Sequence, residues 1–171
     1  LQDLQGRTPL MRAMELGYHD IAQAVMNILT GAHLLIQDSE GWTALHLAVL
    51  INDEVCIDII DDALDGLPED QSRQFLDMQD NDGYTALMYA AMNGKTATAK
   101  FLIEELKADK TLKDKDGKTA ADIAMANNHP ITFAAIDPAA AAKKGEEFEK
   151  AMEEATVVDV ISTRFQMAKS E

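Results

Sequence analysis

Short apolar runs alternate along the chain with polar octets rich in turn-forming residues. The runs Leu10 to Leu16, Leu45 to Ile51, Leu87 to Asn93 and Ala121 to Asn127 are each about two helical turns long and carry alanines at 13, 48, 90 with 91, and 124. Small residues at those places let a neighbouring helix approach closely. Gly17, Asn52, Gly94 and Asn128 follow, and Gly and Asn are the residues that tolerate a left-handed helix terminus. A second apolar stripe then recurs at intervals of three and four, clearest in Ile21, Val25, Ile28, Leu29 and in Val55, Ile59, Ile60, Ala63. That period predicts a second helix after each first one.

The octets before the first helices share one frame, D-x-x-G-x-T-[PA]-[LA]. It begins at Asp3, Asp38, Asp80 and Asp114, and its glycines stand at 6, 41, 83 and 117, intervals of 35, 42 and 34 residues. Asp opens a turn because its carboxylate accepts backbone N–H groups two residues on. Gly supplies the positive φ of a tight turn. Thr8, Thr43, Thr85 and Thr119 are N-caps, and Pro9 falls where a missing N–H costs nothing. Each unit predicts a turn, a capped helix and a second helix.

These residues resemble the ankyrin repeat, whose core reads T-P-L-H-x-A. The resemblance covers roughly residues 1–136 and is strongest at G-W-T-A-L-H-L-A (Gly41 to Ala48) and G-Y-T-A-L-M-Y-A-A (Gly83 to Ala91). It implies an all-α solenoid of helix-turn-helix repeats with short β-hairpin fingers, in units of about 1–36, 37–78, 79–112 and 113–136. The second unit is eight or nine residues too long. The excess, Asp61 to Gln74, reads as a lengthened helix and an acidic loop. The fourth has Ala121 and Asp122 where the family favours Leu and His, and Asp137-Pro138 cuts its second helix short, as befits a terminal repeat.

Residues 137–171 do not repeat and predict a C-terminal helical extension. Asp137 reads as an N-cap with Pro138 at the first helical position. Ala139 to Lys144 favour helix, and Gly145 marks a kink or an end. Phe148, Met152, Ala155, Val158, Ile161, Phe165 and Ala168 form a helical stripe, although Val157 to Ile161 would also suit a strand. The extension would cap the last repeat, dock a partner, or lie in the binding groove as an autoinhibitor.

Charge narrows the partner. The formal net charge of -15 repels phosphate backbones, so no nucleic acid is expected. A protein or peptide with apolar anchors and basic flanks fits better. No apolar run is long enough to span a membrane. The lone Cys56 has no partner for an internal disulfide, which points to an intracellular compartment, cytoplasmic or nuclear, or host cytosol for a secreted effector. The chain opens on Leu1 and reads as a fragment of something longer; as it stands it is expected to be a monomer.

No catalytic motif stands out, so no enzyme and no cofactor are expected. The resemblance gives His46 a structural hydrogen-bonding role. Asp58, Asp61, Asp62, Asp65, Glu69 and Asp70 lack the EF-hand spacing, so no metal site is expected there. Cys56, beside Val55 and Ile57, reads as a packed small hydrophobe.

In the resembled family, hairpin tips and the concave face of the first helices make most contacts, which implies a partner bound on the concave, hairpin-side surface. Carried onto this chain, that implies Arg7, Trp42 and Tyr84 after the turn glycines, Leu16, Leu50, Ile51 and Met92 at the helix ends, and Glu40 and Asp82 on the rim, with Glu15 beside them. The implied role is a non-catalytic scaffold or adaptor. Alternatives are the regulatory part of a larger enzyme or channel, an inhibitor-type ankyrin protein with an acidic tail, and a microbial effector. Trp42 could instead fold onto its own repeat.

Overall fold

The computed structural model describes residues 2–28 and 33–146. They fall in two compact units, residues 1–136 and 137–171. The first unit is helical, as the resemblance implies: α1 (Pro9–Glu15), α2 (His19–Ile28), α3 (Ala44–Ile51), α4 (Glu54–Leu64), α5 (Glu69–Leu76), α6 (Ala86–Met92), α7 (Thr96–Glu104), α8 (Ala120–Ala126) and α9 (Pro130–Ile136).

The octets do what their residue types predict. Oδ1 of Asp3, Asp38, Asp80 and Asp114 each accepts two backbone N–H groups, two and four residues on, at 2.8–2.9 Å. The threonine hydroxyls accept from Met11, His46, Met88 and Asp122 N–H, closing capping boxes over α1, α3, α6 and α8. Gly17, Asn52, Gly94 and Asn128 all take left-handed φ between 57° and 69°. The fingers are hydrogen-bonded turns, and no strand forms among the described residues. The aspartate saturates each turn, and the chain passes within two residues to the next Thr cap, leaving no length for a ladder.

The first helices pack in the order α1, α3, α6, α8, and the second helices pair with them as a second layer. Leu10, Met14, Leu45, Leu87, Leu102 and Ile136 are buried in the core. The turns stitch the repeats together. Ser39 N–H donates to Gln5 O at 2.9 Å, Asn81 to Glu40 at 3.0 Å, and Lys115 to Asp82 at 3.3 Å. A glutamine ladder runs beside them: Nε2 of Gln2, Gln37 and Gln79 donates to the carbonyls of Gln37, Gln79 and Lys113 at 3.0, 2.9 and 2.8 Å.

One expectation changes in these repeats. The acidic loop after α4 contains a helix, α5, which begins after Pro68, has Glu69 and Asp70 in its first turn, and buries Phe75 and Leu76. Acids favour a helix start because they oppose its positive dipole end. The second helices form as the spacing predicts, with Ile21, Ile28 and Val55 facing outward. The inner faces begin one residue later, at Ala22 and Cys56. Ile21 occupies in the first repeat the place Cys56 takes in the second, and the described residues include no earlier repeat to cover it. Leu29 lies outside them.

In the second unit, residues 138–146 form a helix, α10, with Asp137 Oδ1 accepting Ala140 N–H at 3.0 Å as the expected N-cap. It runs through Gly145 instead of ending there. Phe148 and the stripe that follows lie outside the described residues.

Candidate functional site

The residues implied as a partner surface fall into two rows at opposite ends of the first helices. A helix of seven or eight residues separates its ends by about 10–12 Å. One row follows the turns and the other the helix C-termini.

At the turn row the side chains are engaged within the fold. Arg7 is half-buried, ion-paired with Glu15 and 3.6 Å from Asp38 Oδ2. Glu15 also meets Arg12 at 2.6 Å, and its carboxyl is held below the usual range by the bonds from Arg7 and then Arg12. Trp42 leans across onto the next repeat. Its Nε1 donates to Asp80 Oδ2 at 3.2 Å and to the Tyr89 hydroxyl at 3.1 Å, and its ring meets Tyr89 edge-on with centroids 5.9 Å apart. Tyr89 donates to the same Asp80 oxygen at 2.6 Å. Burial would raise Asp80, but the bond from Tyr89 and the amides of Tyr84 and Asp82 outweigh it and hold the carboxyl below its ordinary value. Burial, then the bond to Asp80, pushes the Tyr89 phenol upward.

Tyr84 completes the cluster, its ring tilted against Tyr89 at 5.6 Å. Its carbonyl accepts His46 Nε2–H at 3.0 Å. A carbonyl only accepts, so Nε2 carries the proton and Nδ1 is left to accept from Thr43 Oγ1, 2.8 Å away. Burial lowers the His46 pKa and keeps the ring neutral. Its role is structural, as the resemblance implies. Glu40 and Asp82 stand exposed at the turn tips, while their carbonyls carry the bonds to the next turn.

At the helix-end row the apolar side chains remain accessible. Leu16 is 60% exposed, Leu50 38% and Ile51 40%; Met92 is half-buried. Because α1, α3 and α6 are neighbours, these residues lie along one edge.

Tyr89 is the residue sequence reasoning missed. It takes the place of Leu47 in the second repeat and Ile123 in the fourth. Aligning the repeats sets this phenol beside Arg12, Leu47 and Ile123, but does not reveal its partners. A concavity of about 270 Å³ lies between α4 and α7, lined by Glu54, Ile57, Asp58, Ala97, Thr98 and Phe101. Among the described residues, the side chains that converge with metal-ligand spacing are His19, Asp53 and Cys56, at the junction of α2 with α4.

Capped first helices, left-handed termini and turns bonded repeat to repeat are the marks of one repeat family. A family model described as ankyrin repeats, three copies, matches the chain over residues 1–65 and again over 63–136. Such repeats are generally protein–protein interaction modules and are typically non-catalytic. On matches that span most of its length, the chain belongs to the ankyrin-repeat family.

Proposed function

We propose that this chain is a non-catalytic scaffold or adaptor that holds a partner protein or peptide along the helix-end row. The observation that carries this reading is the exposure of Leu16, Leu50 and Ile51 at corresponding ends of adjacent helices. Contiguous apolar surface on a folded protein marks interaction sites. The partner supplies apolar anchors to these residues and Met92. Its basic flanks answer the field of a chain with net charge -15, to which the exposed Glu40 and Asp82 contribute from the turn side. Trp42, Tyr84 and Arg7 serve mainly to join the repeats.

The test is a double substitution, Leu16→Lys with Leu50→Lys. It removes two anchors and sets positive charge against a basic ligand. A cation near a helix C-terminus is favourable, so the fold is spared. Affinity capture followed by mass spectrometry, with titration of the recovered partner, should show at least about a tenfold loss of affinity. Circular dichroism should show unchanged helical content. Retained affinity with intact helices would sink this surface.

A further inference from the structure

We propose that His19, Asp53 and Cys56 form a metal-ion site that ties the first repeat to the second and takes a borderline divalent cation of the zinc type. His19 opens α2, Asp53 caps α4, and Cys56 lies in the first turn of α4. One ligand atom from each lies within 4.8 Å of the other two, and His19 Nε2 is 2.6 Å from Asp53 Oδ2. Donors on a tetrahedral zinc at bond lengths of about 2.0–2.3 Å sit about 3.3–3.6 Å apart. Sub-ångström to ångström shifts of three side chains would therefore bring them into place.

The local structure already orients the ligands. Asp53 Oδ1 is occupied by Cys56 N–H at 3.2 Å, which leaves Oδ2 turned toward His19. Cys56 is fully buried, while His19 and Asp53 reach the surface, so an ion has an entry path and room for a water as fourth ligand. Nitrogen, oxygen and sulfur together suit zinc better than magnesium or calcium, which take oxygen. On binding, the Cys56 thiol loses its proton to solvent as the sulfur–metal bond forms. Thiolate and carboxylate then balance the two positive charges, with His19 neutral.

The other junctions provide an internal control. Thr96 and Thr132 hold in the third and fourth repeats the places of His19 and Cys56, and their hydroxyls bond directly at 2.7 Å. Lys95 and His129 stand where Asp53 does. The fold thus joins two repeats at this place with simple hydroxyls, and the constellation at the first junction exceeds what packing requires. Its consequence is regulatory or stabilising: in a repeat array each unit is held by its neighbours, so a cross-link here secures the first repeat.

Calorimetric titration of the full chain with zinc chloride tests the site, alongside Cys56→Ala and His19→Gln. Glutamine keeps a hydrogen-bond donor for Asp53, so the fold survives. The expected result is one zinc per chain, with affinity rising as pH rises because a proton is displaced. Binding should weaken more than about tenfold in each variant. Cobalt should give a thiolate charge-transfer band that Cys56→Ala abolishes. Absence of one-to-one binding to the folded wild type, or either variant binding within about tenfold of it, would overturn the site.

Discussion

At the turn row, Trp42 and Arg7 extend to the aspartate of the next repeat; at the other end of the same helices, Leu16, Leu50 and Ile51 extend into solvent. Both rows occupy variable positions, the turn row inside the repeated frame and the helix-end row beyond it, and both look equally free in a linear sequence. The difference is chemical. Indole N–H, phenol and guanidinium carry donors, and the turns of the second and third repeats offer buried carboxylates, Asp38 and Asp80, that accept them or pair with them. An aliphatic side chain at a helix end has no such demand to meet, and the loop to the second helix leaves it uncovered. Being unrepeated therefore does not make a position available to a partner. The turn row serves cohesion between repeats, and the helix-end row serves contact.

The strongest way to break this contrast is to disturb a turn. Gly41 has φ +83°, and a Cβ there would stand 2.6 Å from Asn81 N and 2.9 Å from Asp80 Cα. Gly17, at a helix end, has φ +69° but open space around it. Both alanine substitutions meet the left-handed penalty of about 1–2 kcal/mol. Only Gly41→Ala also forces two backbones apart, so it should cost about 3 kcal/mol or more in urea denaturation. Equal costs at the two glycines would mean the turns are not closely stitched.

Tyr89→Phe comes next. It removes a 2.6 Å bond to a buried carboxylate and the acceptor at 3.1 Å from Trp42 Nε1. Hydrogen bonds to charged groups contribute about 1.5–3 kcal/mol, so a loss of about 2 kcal/mol is expected. Partner affinity should stay within about twofold on the cohesion reading. A loss of binding without loss of stability would return the aromatic cluster to the contact surface.

His46→Met uses the residue that stands at the same place in the first and third repeats, Met11 and Met88. The lost bond to the Tyr84 carbonyl should cost about 1 kcal/mol at neutral pH. The sharper readout is pH. Burial depresses the folded pKa of His46 below its ordinary 6.5, so the unfolded chain takes up a proton the native ring refuses. The wild type should hold this stability above that value and lose it progressively as pH falls below it. Asp80 and Asp53, also depressed, act only below their ordinary 3.8. Glu15, depressed from 4.5, and Asp61 and Asp77, raised from 3.8, respond in both proteins, so the readout is the difference: between those limits stability should fall more steeply with acid in the wild type than in the variant.

What the sequence made readable is what acts within four residues: the aspartate turns, the threonine caps, the left-handed termini. These depend on side chains bonding nearby backbone, so residue type alone is informative. The joins between repeats were not readable. Trp42 finds Tyr89 across 47 residues and Gln37 finds Gln79 across 42, distances fixed only once the repeats stack. The acids from Asp61 to Asp70 suggest a solvated loop, yet Pro68 followed by Glu69 and Asp70 is also a helix start, and α5 begins there. The period of Ile21, Val25 and Ile28 predicts the α2 helix but not whether a neighbour covers its face.

The smallest expected effect bears most directly on function. Leu16 caps α1 with its N–H bonded to Arg12 O and its side chain largely in water. Leu16→Lys removes little buried area and adds a cation at a helix C-terminus, so chemical denaturation should register about 0.5 kcal/mol or less. A cost above about 1.5 kcal/mol would mean that Leu16 is packed after all, since that approaches the value of a buried leucine. The helix-end row would then be doing the same work as the turn row. If the cost is small while affinity for the captured partner falls, the exposure of Leu16 is of use only to a second molecule, because the fold loses almost nothing when it is removed.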